Sequence, residues 1–151
     1  MGIMTLDFYC FKENELYGSE LPKTQDDLDY LKEQGIKVII SLEEEIKELA
    51  EHSTLKQDFE HVELYITDYG VPQENQIEQF LKIFAKAKEE GKPVLVHCYA
   101  GCGRTGLMLA LAEKIVYKTR NGEEAIKNLK KVRPCAVETA EQRNLVIHFE
   151  K

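Results

Sequence analysis

The sequence has 151 residues, enough for one domain that buries roughly 70% of the surface of its unfolded chain. Hydrophobic residues make up 43% and charged residues 31%, a composition that is typical of a globular protein and excludes a disordered one. The formal net charge of −7 argues against nucleic acid or an anionic membrane as a partner.

No apolar run approaches the roughly 18–20 residues of a membrane span, and residues 1–7 lack the features of a signal peptide. No linker, repeat or low-complexity tract interrupts the chain. We therefore expect a single domain over residues 1–151, located in the cytoplasm and monomeric.

The cysteines Cys10, Cys98, Cys102 and Cys135 are too few for a disulfide scaffold in a chain of this length. They also lack the paired spacing of a zinc site. We expect no structural metal and no cofactor.

Hydrophobic periodicity and turn signals divide the chain into alternating strands and helices. The predicted strands cover, in chain order, 5–11, 36–42, 61–66 and 93–97. The predicted helices cover about 24–34, 43–51, 73–90, 105–118, 123–132 and 138–150. This order predicts an α/β fold with a mainly parallel central sheet flanked by helices, in which ligands bind beyond the carboxyl ends of the strands.

A glycine-rich loop follows the last predicted strand and has the sequence His-Cys-Tyr-Ala-Gly-Cys-Gly-Arg-Thr-Gly over residues 97–106. Gly101 and Gly103 allow successive N–H groups to point at one anion, and the N-terminus of the next helix adds further donors. Arg104 supplies a planar fork that matches two phosphate oxygens. Cysteines in such surroundings have pKa values of about 3.5–7.5, so we expect Cys98 to be a thiolate aimed at a bound phosphate.

The spacing of His97, Cys98, Gly101, Arg104 and Thr105 resembles the signature of the cysteine-dependent phosphatases of the tyrosine and dual-specificity superfamily. Further segments resemble the small atypical dual-specificity phosphatases, including archaeal ones; they cover 16–22, 39–44, 68–72 and 137–142. The resemblance implies a phosphotyrosine-phosphatase-like fold. It also implies that the loop binds the substrate phosphate through Tyr99, Ala100, Gly101, Cys102, Gly103 and Arg104.

A thiolate that attacks a phosphate monoester needs an acid to protonate the departing oxygen. Asp68 is our candidate because it follows a predicted strand within a turn that resembles the mobile acid loop of tyrosine phosphatases. Ile66 and Thr67 stand where that family has Trp and Pro. The alternative role for Asp68 is to stabilise the turn through its own backbone.

The resemblance also implies roles for three supporting residues. The Thr105 hydroxyl would help to expel the sulfur, and the alternative is a local bond in the first turn of the helix. His97 would order the hydrogen bonds behind the loop, although a buried histidine with satisfied hydrogen bonds would give the same pattern. Gln142 would position the hydrolytic water, but Thr139 and Gln142 also form a capping box, which is the preferred interpretation.

Cys102 occupies a variable position of the loop. We consider a reversible disulfide between Cys102 and Cys98, which would protect an oxidised nucleophile. Any small residue would also fit this position.

These residues together predict a metal-independent protein phosphatase that acts on phosphotyrosine, and on phosphoserine and phosphothreonine, through a phosphocysteine. Its partners would be phosphorylated proteins or peptides, and phosphate analogues such as vanadate would inhibit it. The alternatives are a phosphatase for phosphoinositides or RNA 5′-phosphates, or a phosphate-binding module without turnover. Rhodaneses and arsenate reductases share the spacing from cysteine to arginine but lack a loop like that of Asp68.

Overall fold

The computed structural model describes residues 5–49 and 52–150. Its strands are β1 (Phe8–Lys12), β2 (Leu16–Ser19), β3 (Val38–Ser41), β4 (Glu60–Glu63) and β5 (Val94–His97). Its α-helices are α1 (Gln25–Glu33), α2 (His52–Asp58), α3 (Glu74–Glu89), α4 (Gly103–Ile115), α5 (Gly122–Lys130) and α6 (Ala140–His148). None of these helices has the length and apolar character that crossing a membrane requires.

The five strands form one sheet in the order β1-β2-β5-β3-β4. β5 pairs in parallel with both β2 and β3, β4 pairs in parallel with β3, and only β1 runs antiparallel to its neighbour. The prediction of a mainly parallel sheet flanked by helices is therefore confirmed. Because the carboxyl end of β5 lies at the centre of one sheet edge, the loop that follows it is surrounded by the ends of its neighbours.

Apolar side chains fill both faces of the sheet, as the continuous apolar sequence of β5 predicts. Val94 and Val96 belong to the core on one face, whereas Leu95 belongs to the core on the other. The first core includes α3, α4, α5 and α6, and the second includes α1 and α2. α4 is the most enclosed element, because every residue from Gly103 to Glu113 is buried.

Three elements differ from the sequence prediction. The predicted helix over 43–51 is a 3₁₀ helix at Glu44–Glu48, and Ala50 and Glu51 lie outside the described residues. The chain then forms α2, where no element was predicted. β2 was also missed, because its four residues carry no alternating polar pattern and all of them are buried.

Candidate active site

Cys98 lies at the carboxyl end of β5, directly before the loop that leads into α4. Its side chain is buried, and the N–H of Gly101 donates a hydrogen bond to its sulfur at 3.3 Å. We name residues 98–104 the phosphate loop. The sulfur therefore faces a backbone donor of the loop, at the edge of the sheet where a parallel fold binds its ligands.

The two glycines of the phosphate loop lie where a side chain would collide. Gly101 has a φ of +79°, and a Cβ there would lie 2.7 Å from the carbonyl carbon of Ser19. A Cβ on Gly103 would contact the Glu138 carboxylate and would lie 3.2 Å from the Gln142 side-chain amide. The curl of the loop consequently depends on Gly101, where both the backbone conformation and the Ser19 backbone exclude a side chain, whereas only side-chain ends face Gly103.

Arg104 is buried and is oriented by the ends of two strands. Its Nη1 donates to the carbonyl of Ile66 at 2.8 Å and to that of Leu42 at 3.4 Å. Its Nη2 pairs with Glu43 at 2.9 Å and with Asp68 at 3.3 Å. Its Nε is buried and makes no hydrogen bond within the described part of the chain. The carbonyls of Leu42 and Ile66 and the carboxylate of Glu43 thus hold the guanidinium in place. An anion could bind to Nε and to the side of Nη2 that faces Asp68.

Asp68 lies on the loop between β4 and α3 and is exposed over 58% of its side chain. Its Oδ1 accepts a hydrogen bond from the N–H of Tyr69 at 2.9 Å and also faces Arg104. The turn is closed by a bond from the Gly70 N–H to the Thr67 carbonyl at 2.8 Å. Both sequence interpretations of Asp68 therefore have geometric support, since the carboxylate stabilises the turn and also reaches the arginine of the phosphate loop.

His97 is fully buried beneath the phosphate loop. Its Nδ1 lies 3.0 Å from the carbonyl of Cys98, an acceptor, so Nδ1 carries the proton. Its Nε2 then accepts from the hydroxyl of Ser41 at 2.6 Å, and His61 Nε2 in turn donates to Ser41 at 2.7 Å. Burial lowers the pKa of His97 to about 4. A neutral His97 consequently orders the backbone behind the loop.

The depressed pKa of His97 predicts a loss of stability in acid. Above about pH 6.5 the histidine is neutral in both states, whereas below it the unfolded chain binds a proton that the folded chain excludes. The loss should grow until about pH 4 and reach about 3 kcal/mol in the free energy of unfolding. Urea denaturation across this range should show a steeper pH dependence for the native chain than for His97→Asn. The exposed His148→Asn is the control, and identical slopes for the native chain and His97→Asn would contradict the assignment.

Thr105 and Gln142 are both fully buried, but their surroundings differ. The Thr105 hydroxyl makes no hydrogen bond among the described residues, so the local bond considered from the sequence is not formed. Gln142 Oε1 accepts from the N–H of Thr139 at 3.2 Å, and the Thr139 hydroxyl accepts from the Gln142 N–H at 3.0 Å, which confirms the capping box. Gln142 Nε2 also donates to the carbonyl of Gly70 at 3.2 Å and so connects the Asp68 loop to α6.

The disulfide considered between Cys102 and Cys98 is wrong for this structure. Cys102 is bonded to Cys135, with Cα atoms 5.3 Å apart, and Cys98 is a free thiol. The reason lies in the connection between α5 and α6, which passes against the N-terminus of α4. Gly106 marks this contact, since a Cβ there would lie 2.7 Å from that of Ala136.

Three residues of the site were missed from the sequence: Tyr69, which follows Asp68 in the pocket lining, and Ser41 and Glu43. Ser41 ends β3 directly opposite His97 in the parallel register, so a correct alignment of the two strands would have identified it. Glu43 follows two residues later and pairs with Arg104, but the sequence shows it only as one of several consecutive glutamates.

These residues surround a pocket of about 90 Å³. Its lining consists of Asp68, Tyr69, Cys98, Tyr99, Ala100, Gly103, Arg104 and Glu138. The rings of Tyr69 and Tyr99 are among the most exposed large apolar side chains of the described residues, at 63% and 46%. A buried cysteine below an arginine, on a loop that enters a helix from a central parallel strand, is the arrangement of the dual-specificity class of cysteine-dependent phosphatases.

Comparison with known proteins agrees with this class. Residues 16–118 match the family described as "Tc-R-P: Polymorphic toxin system, DSP-PTPase phosphatase". The chain belongs to this family of dual-specificity and tyrosine phosphatases.

Curated relatives are similar over part of their length. Mouse protein tyrosine phosphatase domain-containing protein 1 is 34% identical over 131 residues, which cover 77% of this chain and 17% of that protein. The tyrosine-protein phosphatase CDC14 of Candida albicans is 25% identical over 152 aligned residues, which cover 99% of this chain and 27% of that protein. The chain thus spans about a sixth to a quarter of the length of these relatives.

Solved structures have the same fold over nearly the whole chain. The crystal structure of Tk-PTP in the active form superposes with a TM-score of 0.81 at 25% identity, and covers 92% of each chain. The structure of PTPMT1 in complex with PI(5)P superposes with a TM-score of 0.81 at 21% identity, and covers 92% of this chain and 91% of that one. The second similarity shows the fold alone.

Proposed function

We propose that this phosphatase hydrolyses phosphotyrosine, and phosphoserine and phosphothreonine less efficiently, through a phosphocysteine intermediate and without a metal ion. The observation that carries the proposal is the placement of the free thiol of Cys98 in one small pocket with Arg104 and Asp68. The nucleophile and the anion donor share the phosphate loop, whereas the acid comes from the separate loop between β4 and α3, so its approach to them is a property of the fold.

In the first step, a substrate phosphate takes the side of Arg104 that now faces Asp68. The displaced carboxylate then lies at the mouth of the pocket, where the ester oxygen departs. Cys98 attacks the phosphorus, the sulfur–phosphorus bond forms, and the bond to the ester oxygen breaks as Asp68 donates its proton. Arg104 and the loop amides stabilise the charge on the equatorial oxygens.

In the second step, water attacks the phosphocysteine and Asp68, now ionised, accepts the proton. The sulfur leaves as a thiolate, and the buried hydroxyl of Thr105 is available to donate to it because it has no other partner among the described residues. Inorganic phosphate is released. Gln142 holds the Asp68 loop through Gly70 in this scheme, rather than positioning the water.

The lining of the pocket favours an aromatic monoester. Arg104 is its one cationic side chain, whereas Asp68 and Glu138 contribute carboxylates, so an inositol polyphosphate or a 5′-triphosphate would meet repulsion. Tyr69 and Tyr99 present exposed rings at the mouth. A phosphotyrosine ring can bury apolar surface against them, whereas phosphoserine cannot.

A substrate panel in the presence of a chelator tests this proposal. We expect a phosphotyrosine peptide to have the highest kcat/KM, at least about tenfold above a phosphoserine peptide. PI(5)P is included because PTPMT1 was solved with it, and an RNA with a 5′-triphosphate represents the other alternative. Faster hydrolysis of the lipid or the RNA would overturn the substrate assignment. Binding of phosphate analogues without turnover of any substrate would identify a binding module.

A further inference from the structure

Two side chains that the reaction scheme does not use, Tyr9 and Arg133, contact the rear of the phosphate loop at the carbonyls of Ala100 and Gly101, and Asp7 in turn contacts Arg133. We name Asp7, Tyr9 and Arg133 the rear cluster. Arg133 Nη2 donates to the carbonyl of Ala100 at 2.9 Å, and its Nε donates to the carbonyl of Gly101 at 3.3 Å. The hydroxyl of Tyr9 donates to the same Gly101 carbonyl at 2.9 Å. Two consecutive loop carbonyls are therefore held by side-chain donors.

Arg133 is itself held rigidly. Its two terminal nitrogens bind both carboxylate oxygens of Asp7, at 2.9 and 2.8 Å. Its guanidinium carbon lies 4.6 Å from the centre of the buried Tyr9 ring, within the range of a cation–π contact. Gly18 leaves room for that ring, since a Cβ there would lie 2.5 Å from the Tyr9 hydroxyl oxygen.

Holding a carbonyl at the rear orients the N–H on the other side of the same peptide. In a trans peptide the C=O and the following N–H point in opposite directions, and no described peptide bond is cis. Ala100 directs its carbonyl toward Arg133, and the N–H of the same peptide, on Gly101, points at the sulfur of Cys98. By the same geometry, the rear bonds to the Gly101 carbonyl turn the N–H of Cys102 toward the pocket side.

We propose that Arg133 is a positioning residue for the proposed phosphatase site: it holds the carbonyls of Ala100 and Gly101 so that the next N–H groups face Cys98 and the bound anion. The proposal rests on the proposed function, because that function identifies the anion as the phosphate of a substrate. Arg133 is not among the residues that line the pocket, whereas Arg104 and Asp68 are. It acts through the backbone.

The hydrogen bonds of Arg133 to the loop carbonyls should matter more for anion binding than its positive charge. The bidentate bond to Asp7 is the main cause of the raised pKa of Arg133, with a smaller contribution from Cys98. Since Asp7 neutralises Arg133, the pair adds little net charge near the sulfur. Burial raises the pKa of the Tyr9 hydroxyl, which therefore remains a proton donor. The expected effect of losing Arg133 is therefore a loss of anion affinity.

Tungstate binding, measured by isothermal titration, tests the proposal without requiring turnover. Arg133→Gln should weaken tungstate binding about tenfold to a hundredfold, because neither loop carbonyl keeps its guanidinium donor. Arg133→Lys should recover only part of the affinity, because one ammonium cannot replace the fork. Tyr9→Phe should weaken binding less than about fivefold, since Arg133 Nε still donates a hydrogen bond to the Gly101 carbonyl. Arg143→Gln, on the exposed surface of α6, is the matched control.

A second readout separates positioning from general stability. The rate at which iodoacetamide alkylates Cys98 should change less than tungstate affinity in Arg133→Gln, as geometry rather than charge is lost. A lower melting temperature with unchanged tungstate affinity would overturn the proposal. If Arg133→Gln does not fold, unchanged affinity in both Arg133→Lys and Tyr9→Phe would overturn it equally. Tungstate binding that depends on Arg133, in a chain that hydrolyses no phosphate ester, would instead count against the proposed function alone.

Discussion

Replacing Cys98 with serine should abolish hydrolysis of phosphotyrosine peptides while leaving phosphate binding intact. A serine hydroxyl at this position keeps the size of the side chain but does not ionise near neutral pH, so the nucleophile is lost. We expect kcat to fall by roughly 10⁴-fold or more, equivalent to about 5.5 kcal/mol of transition-state stabilisation. The loop amides and Arg104 remain, and tungstate should bind with an affinity within about threefold of the native value.

Cys10→Ser is the matched control for this variant. Cys10 is the other free cysteine of the described residues, and it is exposed on β1. Its substitution should leave kcat unchanged. Appreciable turnover by Cys98→Ser would refute the nucleophile assignment, whereas loss of tungstate binding would show that the thiol is needed to form the loop.

Replacing Asp68 with asparagine should impair hydrolysis in proportion to the basicity of the leaving group. Asparagine keeps the size of the side chain but has no proton to donate to the departing oxygen. General acid catalysis contributes about 10²–10⁴-fold, so phosphotyrosine hydrolysis should fall within that range. p-Nitrophenolate is a far weaker base than tyrosinate and leaves without full protonation. Hydrolysis of p-nitrophenyl phosphate should therefore fall much less.

The pH profile gives an independent check on Asp68. A general acid acts only in its protonated form, so the native enzyme should lose kcat/KM at high pH, and Asp68→Asn should lack that loss. Asp29→Asn, on the exposed surface of α1, is the control for the substitution itself. Equal losses on both substrates would show that Asp68 orders the turn and is not the acid.

The parts of the site that depend on local sequence were predictable. The strand that ends at His97, the glycine-rich loop and the apolar helix that follows form one continuous segment, so the candidate nucleophile and the candidate anion donors could be proposed together. Helix α4 begins at Gly103, two residues before the prediction, because Arg104 and Thr105 already belong to its first turn. The capping box at Thr139 was also a local pattern and is confirmed.

The parts that depend on contacts between distant segments were not predictable. Glu43 reaches Arg104 only because β3 lies beside β5, and its neighbours in the sequence are further glutamates. Arg133 lies in a run of basic residues, a pattern that predicts an exposed surface, yet its side chain is only 15% exposed. Strand register and the packing of the connection between α5 and α6 decide both contacts, and a single sequence does not encode either in a local pattern.

The bond between Cys102 and Cys135 determines how the enzyme would respond to peroxide. A nucleophilic cysteine that is oxidised to the sulfenic acid is rescued when a neighbouring thiol condenses with it, and otherwise it advances to the sulfinic acid, which ordinary thiols do not reverse. Cys102 lies in the same loop as Cys98, but its sulfur is bonded to Cys135 and is not free for such a condensation. Reducing the bond between Cys102 and Cys135 would have two consequences. It would remove a cross-link between positions 33 residues apart, which stabilises the fold by about 3–4 kcal/mol through the entropy of the unfolded chain, and it would leave a free thiol in the same loop as Cys98.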